Sequence, residues 1–315
     1  MPKGELAFVE WLRGVCRVDP ARVLIGIGDD MAAVALDGRL VLTTADMLLD
    51  GVHFDTRVQS LRRIGRKAVA CSLSDCAAMA ARPRGAMVSV ALPNAMSMDD
   101  ARQLYDGMLA IGAEYDCPII GGDTTSWDHP LAIDVSMIAE PMSKRGPVRR
   151  SGAQPGDVLL VTGALGGSLA GRHLDFTPRL ADAEFLVNEL GESLHAMIDI
   201  TDGLAIDAFR ICQASGCAAC FDVNLLTAAA SDDARRASQC DGRSLVDHVL
   251  NDGEDFELLL AVPPPALPNL NEAPHVPMPV GEIVPLAPGE SPGLRIRHAG
   301  RRIEPLEPGG YQHFR

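Results

Sequence analysis

The stretch GIGDDMAAVALDGRLVLTTAD (26–46) predicts the first pair of strands in the fold. Within it, AVAL (33–36) and LVLTT (40–44) flank Asp37-Gly38, and this dipeptide between apolar runs is a strong hairpin signal. Asp29-Asp30 precedes the first apolar run, and Asp46 follows the second. The stretch therefore predicts an antiparallel hairpin with carboxylates close to its ends.

On both sides of this stretch, further apolar and helical segments alternate along the chain, which predicts an α/β (α+β) fold. In the first half we predict helices at 61–82 and 98–115 and strands at 86–92, 118–121 and 131–139. The basic, proline- and glycine-rich segment 141–157 then interrupts the pattern. We place a domain boundary there, with one domain at 1–141 and a second at 142–315.

The second half restarts with predicted strands at VLLVT (158–162), MIDI (197–200) and FELLLAV (256–262). A helix after MIDI is expected to take Thr201 or Asp202 as its N-cap and to stop at Gly216. The proline-rich segment 263–292 is expected to be extended and irregular.

Charge and composition limit the classes of partner. The chain has 315 residues, 28 basic and 42 acidic side chains, and a net charge of −14, which disfavours binding to bare nucleic acid or an anionic membrane. We find no signal peptide and no apolar run long enough to cross a bilayer. The eight cysteines are then expected to be reduced, and the protein to be cytoplasmic.

Acidic residues recur at the ends of apolar runs, next to glycines or within a few residues of them. Carboxylates in such places suit a hard cation that prefers oxygen ligands. Each aspartate taken singly could instead cap a turn, and the recurrence is what favours a shared site. The residues concerned are Asp30, Asp46, Asp123, Asp199 and Asp202.

Asp75 is a further candidate cation ligand. It lies in the helical stretch CSLSDCAAMAA (71–81) among small apolar neighbours, which predicts that its carboxylate is buried. A buried carboxylate needs a cation or hydrogen-bond donors. The alternatives are magnesium and a salt bridge to Arg82 or Arg84. Several converging acids would require two or more divalent ions, which in turn suit the phosphates of a nucleotide. No Walker A sequence is present, since none of the three lysines follows a glycine.

Two other chemistries remain open on the sequence alone. Ser168 follows a glycine-rich turn and could be a hydrolase nucleophile, although Ala170 breaks the G-x-S-x-G frame. Cys212, Cys217 and Cys220, with Cys240, have the spacing of an iron–sulfur site, although buried cysteines are common in protein cores.

Taken together, nine segments in order resemble thiamine-monophosphate kinases. They are GIGDDMA (26–32), GVHF (51–54), LSDCAAM (73–79), GGDTT (121–125), RSGAQPGD (150–157), VTGALGGSLAG (161–171), MIDITDGL (197–204), GEDFELL (253–259) and GYQHF (310–314).

The resemblance implies transfer of phosphate from ATP to thiamine monophosphate, with several Mg²⁺ ions, in a homodimer whose N-terminal domain sheets pair into a barrel. It implies magnesium ligands at Asp30, Asp46, Asp75, Asp123, Asp199 and Asp202. It implies nucleotide contacts at Thr44, Tyr105, Gly122, Arg150 and Thr201, and thiamine contacts at His53, Glu254 and Tyr311.

The chain departs from the family pattern at Ala45, Ser72, Ala80 and Asp252, where Thr, Asn, Gly and Gly are usual. These departures leave two further alternatives. One is another ATP-using enzyme of the aminoimidazole ribonucleotide synthetase-like superfamily with a different acceptor. The other is a degenerate, non-catalytic nucleotide-binding protein. GVHF, GEDFELL and GYQHF favour the thiamine kinases over the first alternative, and retention of all six acids argues against the second.

Overall fold

The computed structural model describes residues 5–298 and 302–311, which form two β-sheets and the helices packed against them. The α-helices are Glu5–Val15 (α1), Leu61–Ala78 (α2), Met98–Glu114 (α3), Leu180–Leu190 (α4), Leu204–Ser215 (α5), Val223–Ala228 (α6), Asp232–Cys240 (α7) and Leu245–Asn251 (α8). Short 3₁₀ helices span Ser168–Ala170, Arg172–Leu174, Gly191–Ser193 and Pro264–Glu272.

The strands of the first sheet are Val23–Ile25 (β1), Ala32–Leu36 (β2), Arg39–Leu49 (β3), Ala81–Pro93 (β4), Ile119–Trp127 (β5) and Ala132–Pro141 (β6). Those of the second sheet are Val158–Val161 (β7), Ala196–Asp199 (β8), Ala218–Asp222 (β9), Leu258–Val262 (β10), Met278–Val284 (β11), Gly293–Arg297 (β12) and Ile303–Leu306 (β13).

The predicted hairpin forms strands β2 and β3 of the first sheet. Asp37 and Gly38 both have positive φ, 47° and 77°, and Leu36 pairs with Arg39 across the turn. Two consecutive positive φ angles are what a tight two-residue hairpin turn requires. The sheet has the order β1-β2-β3-β6-β4-β5, and β5 runs parallel to β4 at one edge.

Helix α2 lies against this sheet and crosses α3 at very short range. A Cβ atom on Gly65 would lie 1.9 Å from the carbonyl oxygen of Leu104, and one on Gly107 would lie 1.9 Å from that of Arg62. Only glycine allows two helix backbones to approach so closely. This crossing fixes the direction of α2, which carries Lys67, Ser72, Ser74 and Asp75.

The predicted end of this helix at residue 82 was wrong. The helix ends at Ala78, Ala80 adopts a left-handed conformation with φ of 48°, and β4 starts at Ala81. Pro83 lies inside that strand, next to a register shift, because proline cannot donate a ladder hydrogen bond. Tertiary pairing with β6 therefore takes these residues from the predicted helix.

The second sheet has the order β13-β12-β9-β11-β7-β10-β8. β11 lies within the proline-rich segment that was expected to be irregular, and it pairs with both β9 and β7 in the interior of the sheet. The prediction was wrong there because Pro279 falls at a register shift, which the ladder tolerates.

The start of α5 also differs from the prediction, while its end agrees with it. Gly203 is the N-cap residue, and the Asp207 carboxylate inside the first turn accepts from the amides of Thr201, Asp202 and Gly203. Gly216 ends the helix in a left-handed conformation, with φ of 66°.

One buried apolar cluster contains residues of both halves, and a second cluster lies entirely within the second half. Ile64 and Leu73 of α2 belong to the same apolar cluster as Leu186, Met197 and Phe256. The division into domains at residue 141 stays a prediction. All eight cysteines are free, and none of the described helices is both long and apolar enough for a membrane span.

Candidate active site

A cavity of about 480 Å³ lies where α2 meets the loops of both sheets. Its walls come from the β1–β2 loop, β3, α2, the end of β8 and the loop before β10. Ten residues predicted from the sequence line it, namely Asp30, Asp46, His53, Asp75, Arg150, Asp199, Thr201, Asp202, Glu254 and Tyr311.

Three of the predicted acids converge in this cavity. Asp30 lies in the β1–β2 loop, Asp75 on α2 and Asp199 at the end of β8, and each offers a carboxylate oxygen within 4.8 Å of the others. In residues 5–298 and 302–311 they form the one group of three or more acidic, cysteine or histidine side chains with such spacing. The carboxylates therefore form a real cluster, although they come from segments far apart in the chain.

Each member of the cluster is held by a hydrogen-bond donor. Ser74 Oγ donates to Asp199 Oδ2 over 2.6 Å, and the hydroxyl of Thr44 donates to Asp75. Arg150 donates to Asp30 over 2.5 Å. These donors fix the orientations of the carboxylates.

Burial and mutual repulsion make the charged state of this cluster costly without a cation. Burial, followed by the charges of Asp46 and Asp199, raises the pKa of Asp75 well above its usual value. Burial and the charge of Asp30 act in the same way on the pKa of Asp199. A divalent cation among the three would reverse both effects.

The donor set fits magnesium. It consists of carboxylate oxygens, and Asp30 Oδ2 is buried without a hydrogen-bond partner. The alternative of a salt bridge from Asp75 to a nearby arginine was wrong, because Arg82 pairs with Glu184 and Arg84 with Glu140.

Two more predicted ligands lie beside the cluster. Asp46 lies within β3 rather than after a strand, and it accepts from Ser72 Oγ over 2.5 Å. Its pKa is raised to about 6 by burial, against the lowering effect of the Ser72 bond. Asp202 lines the cavity and pairs with Arg210 over 2.6 Å.

The three predicted thiamine contacts all line the cavity. Glu254 Oε1 accepts from Lys67 Nζ over 2.6 Å, and His53 Nδ1 accepts from the amide of Leu49 over 3.0 Å. The Tyr311 amide donates to the carbonyl of Asp202, which holds the C-terminal segment against the site. Residues 312–314 of the GYQHF segment lie outside the described residues.

Four predicted residues do not line the cavity. Thr44 donates its hydroxyl hydrogen bond to Asp75, which does line the cavity. Tyr105 packs on the apolar core from α3, and Gly122 and Asp123 are exposed on the edge strand β5. At Gly122 φ is 146°, and a Cβ atom would lie 1.8 Å from the carbonyl oxygen of Val88.

The departures from the family pattern have structural consequences. Ser72 supplies a hydroxyl to Asp46, and Ala80 occupies the left-handed position where glycine is usual. Asp252 accepts from the amide of Gly167 and from the His248 ring, both over 2.8 Å, so it ties the glycine-rich loop to α8. Ala45 is exposed on β3.

Sequence reasoning missed Lys67 and Ser74, although one pattern pointed to the former. Lys67, Cys71 and Asp75 follow each other at intervals of four, which places them on one face of α2. Cys71 and Asp75 line the cavity, and Lys67 bonds to Glu254 at its wall. A lysine four residues before the small, mostly apolar stretch CSLSDCAA (71–78) was the available signal.

The two rival chemistries find no support in the geometry. Ser168 is buried, and the nearby His173 ring contacts its backbone carbonyl rather than its hydroxyl. Cys212 and Cys217 are buried around the end of α5, whereas Cys240 is exposed at the end of α7.

Comparisons with known proteins show which family the chain resembles. The family model "AIR synthase related protein, N-terminal domain" matches residues 28–140. A thiamine-monophosphate kinase from Rhodopirellula baltica is 38% identical over 98% of this chain and 97% of its own length.

Two solved structures are similar over nearly the whole chain. AaThiL complexed with AMPPCP and TMP has a TM-score of 0.80 at 26% identity and covers 99% of this chain and 97% of its own. The thiamine-monophosphate kinase of Stenotrophomonas maltophilia K279a has a TM-score of 0.65 at 30% identity and covers 92% of this chain and 95% of its own. With its acidic cavity, its fold and its near full-length relatives, this chain belongs to the thiamine-monophosphate kinase family.

Proposed function

We propose that this protein transfers the terminal phosphoryl group of ATP to thiamine monophosphate, giving thiamine diphosphate and ADP. The observation that carries the proposal is the cluster of Asp30, Asp75 and Asp199 in a cavity that Arg150 and Glu254 also line. The similar structure of AaThiL, complexed with both AMPPCP and TMP, supports a site for the two substrates together.

Magnesium would be held by Asp30, Asp75 and Asp199, with Asp46 and Asp202 beside them and Asp123 as a further predicted ligand. When bound, Mg²⁺ neutralises charge on the phosphates and stabilises the charge that develops during transfer. The protein contributes fixed carboxylates, oriented by Thr44, Ser72 and Ser74.

Arg150 is the side chain best placed for a nucleotide phosphate. One of its terminal nitrogens is bonded to Asp30, and its Nε is buried without a hydrogen-bond partner. A phosphate oxygen would supply that missing acceptor. Contacts of the nucleotide with Thr44, Tyr105, Gly122 and Thr201 stay predictions.

The acceptor end of the cavity suits a cation. Glu254 places a carboxylate there, and Tyr311, which also lines the cavity, is an aromatic residue of the type that binds a thiazolium by cation–π contact. His53 lies on the adjoining turn. The phosphate of the acceptor is already ionised near neutral pH, its second pKa being about 6, so the chain needs no general base.

We therefore propose direct in-line transfer without a phosphoenzyme. The test uses γ-labelled ATP with thiamine monophosphate, followed by acid quenching during turnover. Label is expected only in thiamine diphosphate and residual ATP. Protein-bound label that forms and decays at the turnover rate would contradict direct transfer.

A homodimer joined through the first sheet is also proposed. Met47, Met87 and Ile120 are 64%, 43% and 58% exposed on this sheet, which leaves apolar surface suited to a second copy. Light scattering is expected to give twice the chain mass of 33.4 kDa, and Ile120→Glu to shift the protein toward monomer. A wild-type monomer at micromolar concentration would contradict the dimer.

The function itself is tested by a product assay. ATP, Mg²⁺ and thiamine monophosphate are incubated with the protein, and thiamine diphosphate is followed by chromatography. Product is expected with the wild type and is expected to disappear with a chelator or with Asp75→Asn. Absence of product from folded wild type that still binds ATP with Mg²⁺ would overturn the proposal.

A further inference from the structure

Lys67 is a fully buried lysine with two strong acceptors. Its side chain is 0% exposed, and Nζ donates over 2.6 Å both to Glu254 Oε1 and to the backbone carbonyl of His53. A buried ammonium group is costly unless it is paired and hydrogen-bonded, so these two bonds account for its presence in the core.

The two bonds join parts of the chain that are far apart in sequence. Lys67 lies on α2, His53 belongs to the turn after β3, and Glu254 lies in the loop before β10, 187 residues from Lys67. Both partners line the cavity where the acceptor is proposed to bind. One ammonium group therefore fixes the two sides of that part of the cavity relative to each other.

Glu254 needs this support because its backbone is in a rare conformation. Its φ is 61°, which a non-glycine residue adopts at a cost, and its amide donates to the carbonyl of Thr201 over 2.6 Å. The backbone bond fixes the main chain, and the Lys67 bond fixes the carboxylate. Strain of this kind persists only where the surroundings hold the residue in place.

Lys67 bonds to only one of the two carboxylate oxygens of Glu254. The Glu254 side chain is 20% exposed, and Lys67 engages Oε1. Among the described residues no hydrogen bond reaches Oε2, so this oxygen is available to a cationic ligand in the cavity.

Resting on the proposed function, we propose that Lys67 is a positioning residue for the cationic acceptor, acting through Glu254, whose carboxylate it ties to the 51–54 turn. Lys67 and Asp75 lie eight residues apart on α2, so one rigid helix separates the acceptor end from the acidic cluster by about 12 Å along its axis. The helix thus sets both the orientation of the acceptor and its distance from the metal site.

The test is a double-substitution cycle with Lys67→Met, Glu254→Gln and the double variant. Methionine keeps the length and apolar stem of lysine, and the exposed Lys144→Met is the matched control. Because a hydrogen bond to a charged group contributes about 1.5–3 kcal/mol, Lys67→Met is expected to raise KM for thiamine monophosphate about tenfold or more. ATP affinity and the thermal midpoint report whether the site and fold remain intact.

If Lys67 acts through Glu254, adding Lys67→Met to Glu254→Gln will change KM for thiamine monophosphate little further, and ATP affinity will stay at the wild-type value in each variant. The assignment is overturned if Lys67→Met weakens ATP and thiamine monophosphate equally, or if it costs the same factor with and without Glu254. A wild type that forms no thiamine diphosphate would instead overturn the proposed function, so the two failures are distinguishable.

Discussion

Replacing Asp75 with Asn is expected to stabilise the metal-free protein while abolishing its response to magnesium. Asn keeps the size of the side chain and an oxygen that can accept the Thr44 hydroxyl, but it removes one charge from the cluster. Two full charges at 4.8 Å repel by on the order of 3 kcal/mol at an effective dielectric constant of about 20.

Partial protonation limits this repulsion in the wild type. Because the pKa of Asp75 is raised on folding, its contribution to stability falls as the pH rises from the unfolded pKa toward the folded one. The variant lacks that loss, so its advantage grows with pH across this window. We expect a gain of about 1–2 kcal/mol near neutral pH, since protonation removes part of the full repulsion.

The assay is thermal unfolding, measured in EDTA and again with excess magnesium. In EDTA, each kcal/mol of this gain is expected to raise the unfolding midpoint by roughly 2–4 °C. Magnesium at about 100 times its dissociation constant would stabilise the wild type by about 2.7 kcal/mol and leave the variant unchanged. The order of stability of the two proteins is thus expected to reverse between the two conditions.

Asp128→Asn is the matched control, because Asp128 is exposed on the turn after β5. It is expected to follow the wild type in both conditions. A lower unfolding temperature of Asp75→Asn than of the wild type in EDTA, or a wild-type response of the variant to magnesium, would contradict this role of Asp75.

Three further predictions concern Asp46, Ser72 and Gly122. The pKa of Asp46 is raised to about 6, so its carboxylate is protonated as the pH falls through that value. Protonation of Asp46 should therefore reduce magnesium affinity by up to about tenfold per pH unit below pH 6, in addition to the effects of Asp75 and Asp199, whose pKa values are also raised. A pH-independent affinity would contradict a ligand role. Ser72→Ala removes the bond that lowers the pKa of Asp46, so the Asp46 contribution to the fall in magnesium affinity is expected to begin at a higher pH. An unchanged pH profile in calorimetric titrations would show that the Ser72 hydroxyl does not act on Asp46. Gly122→Ala places a Cβ atom 1.8 Å from the Val88 carbonyl oxygen at a φ of 146° and is expected to cost about 2 kcal/mol or more, because only glycine adopts that conformation readily. Gly121→Ala, with open space around its Cβ position, is the control in denaturant unfolding, and equal losses would contradict the steric argument.

Several features of the protein follow from neighbouring residues alone. Asp37-Gly38 determines the first hairpin because its two residues tolerate positive φ, and Gly216 ends α5 for the same reason. The acidic motifs pointed to a cation site, because carboxylates beside apolar runs and glycines suit oxygen-preferring ions. Five of the six acids predicted in this way line one cavity.

Tertiary structure decided what local signals could not. The end of α2 and the place of β11 depend on strand partners distant in sequence, and pairing overrode the local tendencies around Pro83 and Pro279. The cap of α5 depends on Asp207, which satisfies three amides from inside the first turn.

The site itself is the clearest case. Arg150 meets Asp30 across 120 residues, Ser74 meets Asp199 across 125, and Lys67 meets Glu254 across 187. Side-chain chemistry and short motifs were enough to predict candidate ligands for metal, phosphate and a cationic acceptor. Only the packing of α2 between the two halves decided which of them meet, because burial of its apolar faces sets the distances between charges.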